Sequence, residues 1–123
     1  MPMTTRAIAF AATSRPADAL LFYRDVLGLR LLEDTPFAIV FDAFGTMLRV
    51  QKAAAVVRAP YTSFGLDVED IESAVRALAQ KGVQAIRYPH FEQDELGIWT
   101  APGGARVFWF HDPDGNIVSL SQF

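Results

Sequence analysis

One pattern is written twice in this chain, and that duplication constrains the fold more than any bulk property. From Thr5 to Leu29 a short apolar strand runs into a polar corner, a helix and a Gly-Leu stop. From Thr62 to Val83 the same order returns and ends at Lys81-Gly82-Val83. With Arg15 aligned on Asp70 at the corners, the two helices differ by one residue up to Gly28 and Gly82. Two similar halves placed side by side create a shared cleft, so the repeat predicts a chain built around a pocket.

At 123 residues, roughly two-thirds of the unfolded chain's surface is expected to be buried, which suits one domain and not two independent ones. The reading is a single domain, 1–123, of two modules at about 1–55 and 61–123. A hydrophobic content of 51% with 20% charged residues is a globular balance. The net charge of -3 comes without any cluster of Lys and Arg, so a nucleic-acid partner is not expected. With no cysteine, disulfides, thiolate nucleophiles and zinc-thiolate sites are excluded, in keeping with a reducing compartment. The apolar run Ala7 to Ala12 contains Ala9-Phe10-Ala11, which looks like a signal cleavage site, but the run is too short for a signal core. Nothing approaches the roughly 20 apolar residues of a membrane span. A cytoplasmic protein with no membrane association is expected.

The second helix is the clearer one. Ile71, Ala74, Val75 and Leu78 fall on one stripe, while Glu72, Ser73, Arg76, Gln80 and Lys81 face away. In the first, Pro16 sits in the first turn, where its missing N–H does no harm, and Ala19, Phe22, Tyr23, Val26 and Leu27 form the buried arc. Leu21 falls on the opposite face with Asp18, Arg24 and Asp25. Strands are expected at Leu29 to Glu33, Phe37 to Phe41 and Thr46 to Gln51, then at Val83 to Arg87, Arg106 to Phe110 and Asn116 to Gln122. A further element is expected near Gly97 to Thr100, with Lys52 to Pro60 as a linker and Tyr88 to Leu96 as a loop over the cleft.

Phe22-Tyr23-Arg24-Asp25-Val26-Leu27-Gly28-Leu29 and Asp112-Pro113-Asp114-Gly115-Asn116 before a terminal strand, taken with the repeat, resemble the vicinal oxygen chelate superfamily. That superfamily includes glyoxalase I, bleomycin-resistance proteins, fosfomycin-resistance enzymes and extradiol dioxygenases. The resemblance implies an α+β fold of paired β-α-β-β-β modules, curved into an incomplete barrel around a ligand cleft and commonly assembled as a homodimer. By itself Asp112-Pro113-Asp114-Gly115 reads as a turn. Its Asp-x-Asp-x-Asn spacing opens like a calcium loop, but glycine stands fourth instead of sixth and Phe123 occupies the place of the bidentate glutamate. Calcium binding is rejected.

In the superfamily's metal-dependent members, a histidine on a module's first strand and acidic side chains on the late strands hold a divalent ion, which keeps open positions for two substrate oxygens. Counting seven residues back from each corner puts Ile8 and Ser63 at the histidine positions. The late-strand position of the first module falls on Arg49, or on Gln51 after a slip of one pair, and the terminal strand offers Ser119. Isoleucine cannot ligate, arginine repels a cation, and a serine hydroxyl is a weak neutral ligand. No metal and no cofactor are expected. His90 and His111, the only histidines, read as a surface and a turn residue; Asp67, which shares strand parity with Ser63, is the best-placed unconventional carboxylate.

Strand parity puts Ser63, Gly65 and Asp67 on the cleft side, with Ile8, Phe10 and Ala12, with Met47, Arg49 and Gln51, and with Ile117, Ser119 and Ser121. Trp99, between a glycine and a Pro-Gly-Gly turn, is preferred to Trp109 as a pocket wall. The expected ligand contacts are therefore Ile8, Phe10, Met47, Arg49, Gln51, Ser63, Asp67, Trp99 and Ser119, suited to a small molecule with a flat apolar body and a polar or anionic group. Three functions remain open. One is a metal-free small-molecule-binding protein that sequesters a compound. The second is a lyase, isomerase or dioxygenase with unconventional ligands, or a metal-independent acid–base catalyst with Asp67 as base and Arg49 stabilising an oxyanion. The third is a structural or regulatory dimer with a vestigial pocket, with Leu21 as its hint.

Overall fold

The computed structural model describes residues 5–123. A first compact unit extends to Val57 and a second runs from Arg58 to Phe123. In the first, β1 (Ile8–Thr13), α1 (Pro16–Leu21) and a π-helical turn (Phe22–Val26) precede β2 (Arg30–Asp34), β3 (Ala38–Ala43) and β4 (Thr46–Lys52). The second contains β5 (Thr62–Asp67), α2 (Ile71–Gln80), β6 (Trp99–Thr100), β7 (Arg106–His111) and β8 (Ile117–Gln122). Strand orders β1-β4-β3-β2 and β5-β8-β7-β6 follow one plan. In each, the first strand lies parallel to the last and the other pairs are antiparallel. The fold is thus α+β, made of paired β-α-β-β-β modules with two four-stranded mixed sheets, neither closed into a barrel.

Alternation builds each core. On β1, Ala11 and Thr13 are buried while Ile8 and Phe10 are exposed; on β4, Leu48 and Val50 are buried while Met47 and Gln51 are exposed. Ala19, Phe22, Tyr23 and Leu27 of the helical segment are buried as well. The Tyr23 ring lies 5.8 Å from Phe41 and meets Phe22 edge-on at 5.0 Å. Tyr23 and Phe41 are both fully buried, each worth roughly 1.5–3 kcal/mol of apolar burial. In the second unit, Ile71, Val75 and Leu78 form the buried stripe of α2, with Phe64, Phe108, Phe110, Val118 and Leu120 in the core of the sheet.

The one-residue difference between the helices has a structural counterpart. Inserting a residue into an α-helix turns everything beyond it by about 100°. Here the extra residue is absorbed in the π turn, where the Leu27 N–H donates to the Phe22 carbonyl, five residues back, at 3.0 Å. The apolar arc therefore stays on one face, and Gly28 (φ 75°) ends the segment as Gly82 (φ 86°) ends α2. The corners differ in chemistry. Asp70 caps α2 by accepting the Ser73 N–H at 3.1 Å, and that bond holds its carboxyl below the usual carboxylate range. At Arg15 the backbone N–H donates to Thr13 Oγ1 instead, and Pro16 opens the helix.

One expected strand is absent. Val83 to Arg87 has no strand structure, and the fourth place in the second sheet belongs to the short β6. Side chains replace ladder bonds along this stretch. Gln93 accepts the Tyr88 N–H at 2.8 Å and donates to the carbonyls of Ile86 and Gly97 at 2.8 and 2.9 Å. Arg87 donates to the carbonyls of Asp94 and Glu95 at 2.7 and 2.9 Å. The Ile86 N–H reaches the sheet at the Trp109 carbonyl, and Gln93 bridges Trp99. Among the described residues no helix is long and apolar enough to cross a membrane.

The π turn generates a prediction. Deleting the exposed Arg24 should convert it to regular α-helix and leave cooperative urea unfolding, whereas deleting the equally exposed Arg76 from α2 should abolish it or lower the midpoint far more. Equal damage from both deletions would contradict the account.

Candidate ligand-binding faces

On the open face of the first sheet, the register sets Ile8 opposite Met47, Phe10 opposite Arg49 and Ala12 opposite Gln51. All five residues expected from this unit, Ile8, Phe10, Met47, Arg49 and Gln51, are thus brought together across one parallel pair. On its other side Arg49 faces Val40. Arg49 is half-buried, and among the described residues its guanidinium makes no hydrogen bond or ion pair. A guanidinium between Phe10 and Val40 loses hydration without gaining an acceptor.

One row along, Met47 lies opposite Asp42 and Asp42 opposite Arg30. A pocket of about 300 Å³ opens there, lined by Arg6, Ala7, Arg30, Leu32, Asp42, Gly45 and Met47. Asp42 accepts the Gly45 N–H at 2.8 Å and pairs with Arg30 at 3.0 Å, and these contacts, the backbone bond first, hold its carboxyl below the usual range. Two arginines against one carboxylate leave the pocket positive. Arg6 and Arg30 were not singled out in the sequence, because only the pairing of β2 with β3 brings Arg30 beside Asp42.

The expected residues of the second unit converge less. Ser119 lies between Gly65 and Trp109, and Asp67 lies opposite Ser121. Ser63 falls in a register irregularity between Thr62 and Phe64 and is exposed. Trp99 pairs with Val107, in the same row as Ser121 and Asp67, so three strand spacings, roughly 14 Å, separate Trp99 from Asp67. Trp109 was passed over, although the Asp112–Gly115 turn fixes the β7–β8 register and therefore its place beside Ser119. Trp99 and Trp109 both belong to one aromatic cluster, with centroids 5.8 Å apart.

Arg49 opposite Phe10 corresponds to Ser119 opposite Gly65, and Ile8 and Ser63 lie two residues earlier on their strands. These side chains do not fit a chelated divalent ion. The described residues include no group of three or more His, Asp or Glu placed to hold one. The histidines lie elsewhere: His111 Nδ1 donates to the Gly115 carbonyl at 3.2 Å, and His90 packs on Phe91 at 4.4 Å. The turn's carboxylate is committed too, since Asp112 accepts the N–H groups of Asp114 and Asn116 and the Asn116 amide.

Comparison with known proteins agrees with this architecture. Residues 7–120 match the profile of the Glyoxalase/Bleomycin resistance protein/Dioxygenase superfamily, and the chain belongs to that superfamily. Among solved structures, it is similar to a superfamily member from Sphaerobacter thermophilus, at 24% identity and a TM-score of 0.77, with 98% of each chain covered. It is also similar to a glyoxalase family protein from Bacillus anthracis (14%, TM-score 0.77, 99% of this chain and 97% of that one). A lactoylglutathione lyase from Agrobacterium tumefaciens shares the fold at 18% identity and a TM-score of 0.72, covering 98% and 95%. No curated protein matches the sequence.

The contact between β5 and β8 is tight enough to test. A Cβ added at Gly65 would stand 2.7 Å from Ser119 Oγ. Gly65→Ala should lower unfolding free energy by roughly 1–3 kcal/mol, and by less than half as much in a Ser119→Ala background. An equal cost in both backgrounds, measured by urea unfolding, would show that this contact is not the cause.

Proposed function

We propose that this chain is a small-molecule-binding protein of the superfamily, one that holds its ligand without a chelated metal and sequesters it. The ligand has a flat apolar body and an anionic or strongly polar group. The observation that carries the reading is Arg49, half-buried between Phe10 and Val40 with no acceptor among the described residues. A bound carboxylate or phosphate would supply that acceptor, with Ile8, Phe10 and Met47 against the apolar body and Gln51 as a further donor. On the second unit, Ser63, Asp67, Trp99 and Ser119 are proposed separately as ligand contacts of that unit's own sheet. A homodimer acting in the cytoplasm belongs to the same proposal.

The acid–base alternative has less support. Asp67 is exposed, so water competes with it in a proton transfer. The vestigial-pocket reading gains only that Leu21 is 51% exposed, which a single surface leucine explains equally well.

The test pairs an anion with its neutral isostere. 2-Naphthoate should raise the melting temperature and bind at least tenfold more tightly than 2-naphthamide, and Arg49→Met should remove that preference. Equal binding of the two probes, or an unchanged preference in the variant, would refute the role given to Arg49.

A further inference from the structure

We infer a binding site for a planar aromatic ring system without negative charge in the aromatic pocket of the second unit. It borders Trp99 and Ser119, already proposed as contacts on that unit, through Trp109, and it does not depend on the Arg49 reading. The pocket is lined by Pro60, Tyr61, Thr62, Tyr88, His90, Phe91 and Trp109, with a volume of about 250 Å³. Five of these seven side chains are aromatic rings, and none is Asp, Glu, Lys or Arg.

Core packing alone does not account for this arrangement. Trp109 alternates with Phe108 and Phe110, which are buried in the core, but is itself only half-buried on the opposite face. Tyr61 is 68% exposed. Phe91 and Trp109 are nearly parallel, 8° apart with centroids at 5.4 Å, while Tyr88 stands perpendicular to both, at 86° and 89°. A flat ligand can extend the parallel stack and meet the edge of a perpendicular ring, the two favoured aromatic geometries.

The loop that carries these rings is held in place before any ligand arrives. Tyr88, His90 and Phe91 lie in irregular backbone, yet Gln93 makes three hydrogen bonds across it and Arg87 ties down its far side. Asp94 adds bonds from the N–H groups of Leu96 and Ile98 at 3.0 and 2.9 Å. A braced loop loses little freedom on binding, which favours affinity from a small contact area. The volume lies just below the usual range of drug-sized sites, roughly 300–1,000 Å³, and so suits one fused ring system. With no cation in the lining and the negative faces of the rings turned to it, an anionic ring would give up hydration for no ionic partner. The Thr62 hydroxyl and the tyrosine hydroxyls provide hydrogen bonds for a ring heteroatom.

The chain has two tryptophans, so a ¹H–¹⁵N spectrum carries two indole signals, assigned with Trp99→Phe. At pH 7.5 quinoline should shift the Trp109 signal saturably, at least fivefold more tightly than quinoline-2-carboxylate. Tyr61→Ala, at an exposed position, should weaken quinoline at least fivefold while the amide spectrum reports an intact fold. No saturable shift of Trp109, equal binding of quinoline-2-carboxylate at that signal, or unchanged affinity in Tyr61→Ala would overturn the inference. The Arg49 preference is read with different probes, so either proposal can fail alone.

Discussion

In each unit the first strand lies parallel to the last, and almost everything functional depends on the register of that pairing. The six partners from Ile8↔Met47 to Thr13↔Lys52 decide that Leu48 and Val50 enter the core while Arg49 stays on the open face. A slip of one residue would exchange the two sets, burying a guanidinium and exposing two core residues. Core burial therefore enforces the placement of the candidate site, although no site residue contributes much to the core. In the second unit the same pairing sets Ser119 against Gly65 closely enough that no side chain fits at position 65 without displacement.

This coupling explains how one scaffold persists while its chemistry changes. The buried positions, Ser119 against Gly65 among them, are constrained by packing, whereas Ile8 and Ser63 are exposed and constrained only by facing the open side. The equivalent pairs Phe10/Arg49 and Gly65/Ser119 show the modules diverging at those positions while retaining strand order. The π turn shows a similar tolerance along the chain, since one additional residue is absorbed within a single turn and the buried arc is preserved.

Most of the architecture was legible because it rests on local periodicity. The stripe of α2, the arc of the first helical segment and the parity of β1 and β4 follow from which residues recur at helical or alternating spacing. Ile8, Phe10, Met47, Arg49 and Gln51 could be grouped on that basis alone. The segment from Val83 to Leu96 resisted because its order comes from the Gln93, Arg87 and Asp94 side chains reaching backbone atoms several residues away, and no spacing rule signals that. For the same reason Tyr61, Tyr88, His90 and Phe91 did not stand out as a group. Trp109 was recoverable from the hairpin register, but the Gly-Ile-Trp context drew attention to Trp99.

Both units keep one strand order, and the positions that correspond across them, Phe10 and Arg49 with Gly65 and Ser119, form no metal-holding group among the described residues. Metal binding by untagged protein measures this most directly. After chelator treatment and dialysis, the account predicts no saturable binding of nickel, zinc, manganese or ferrous iron and far less than one equivalent retained. One tightly held equivalent per chain would contradict it.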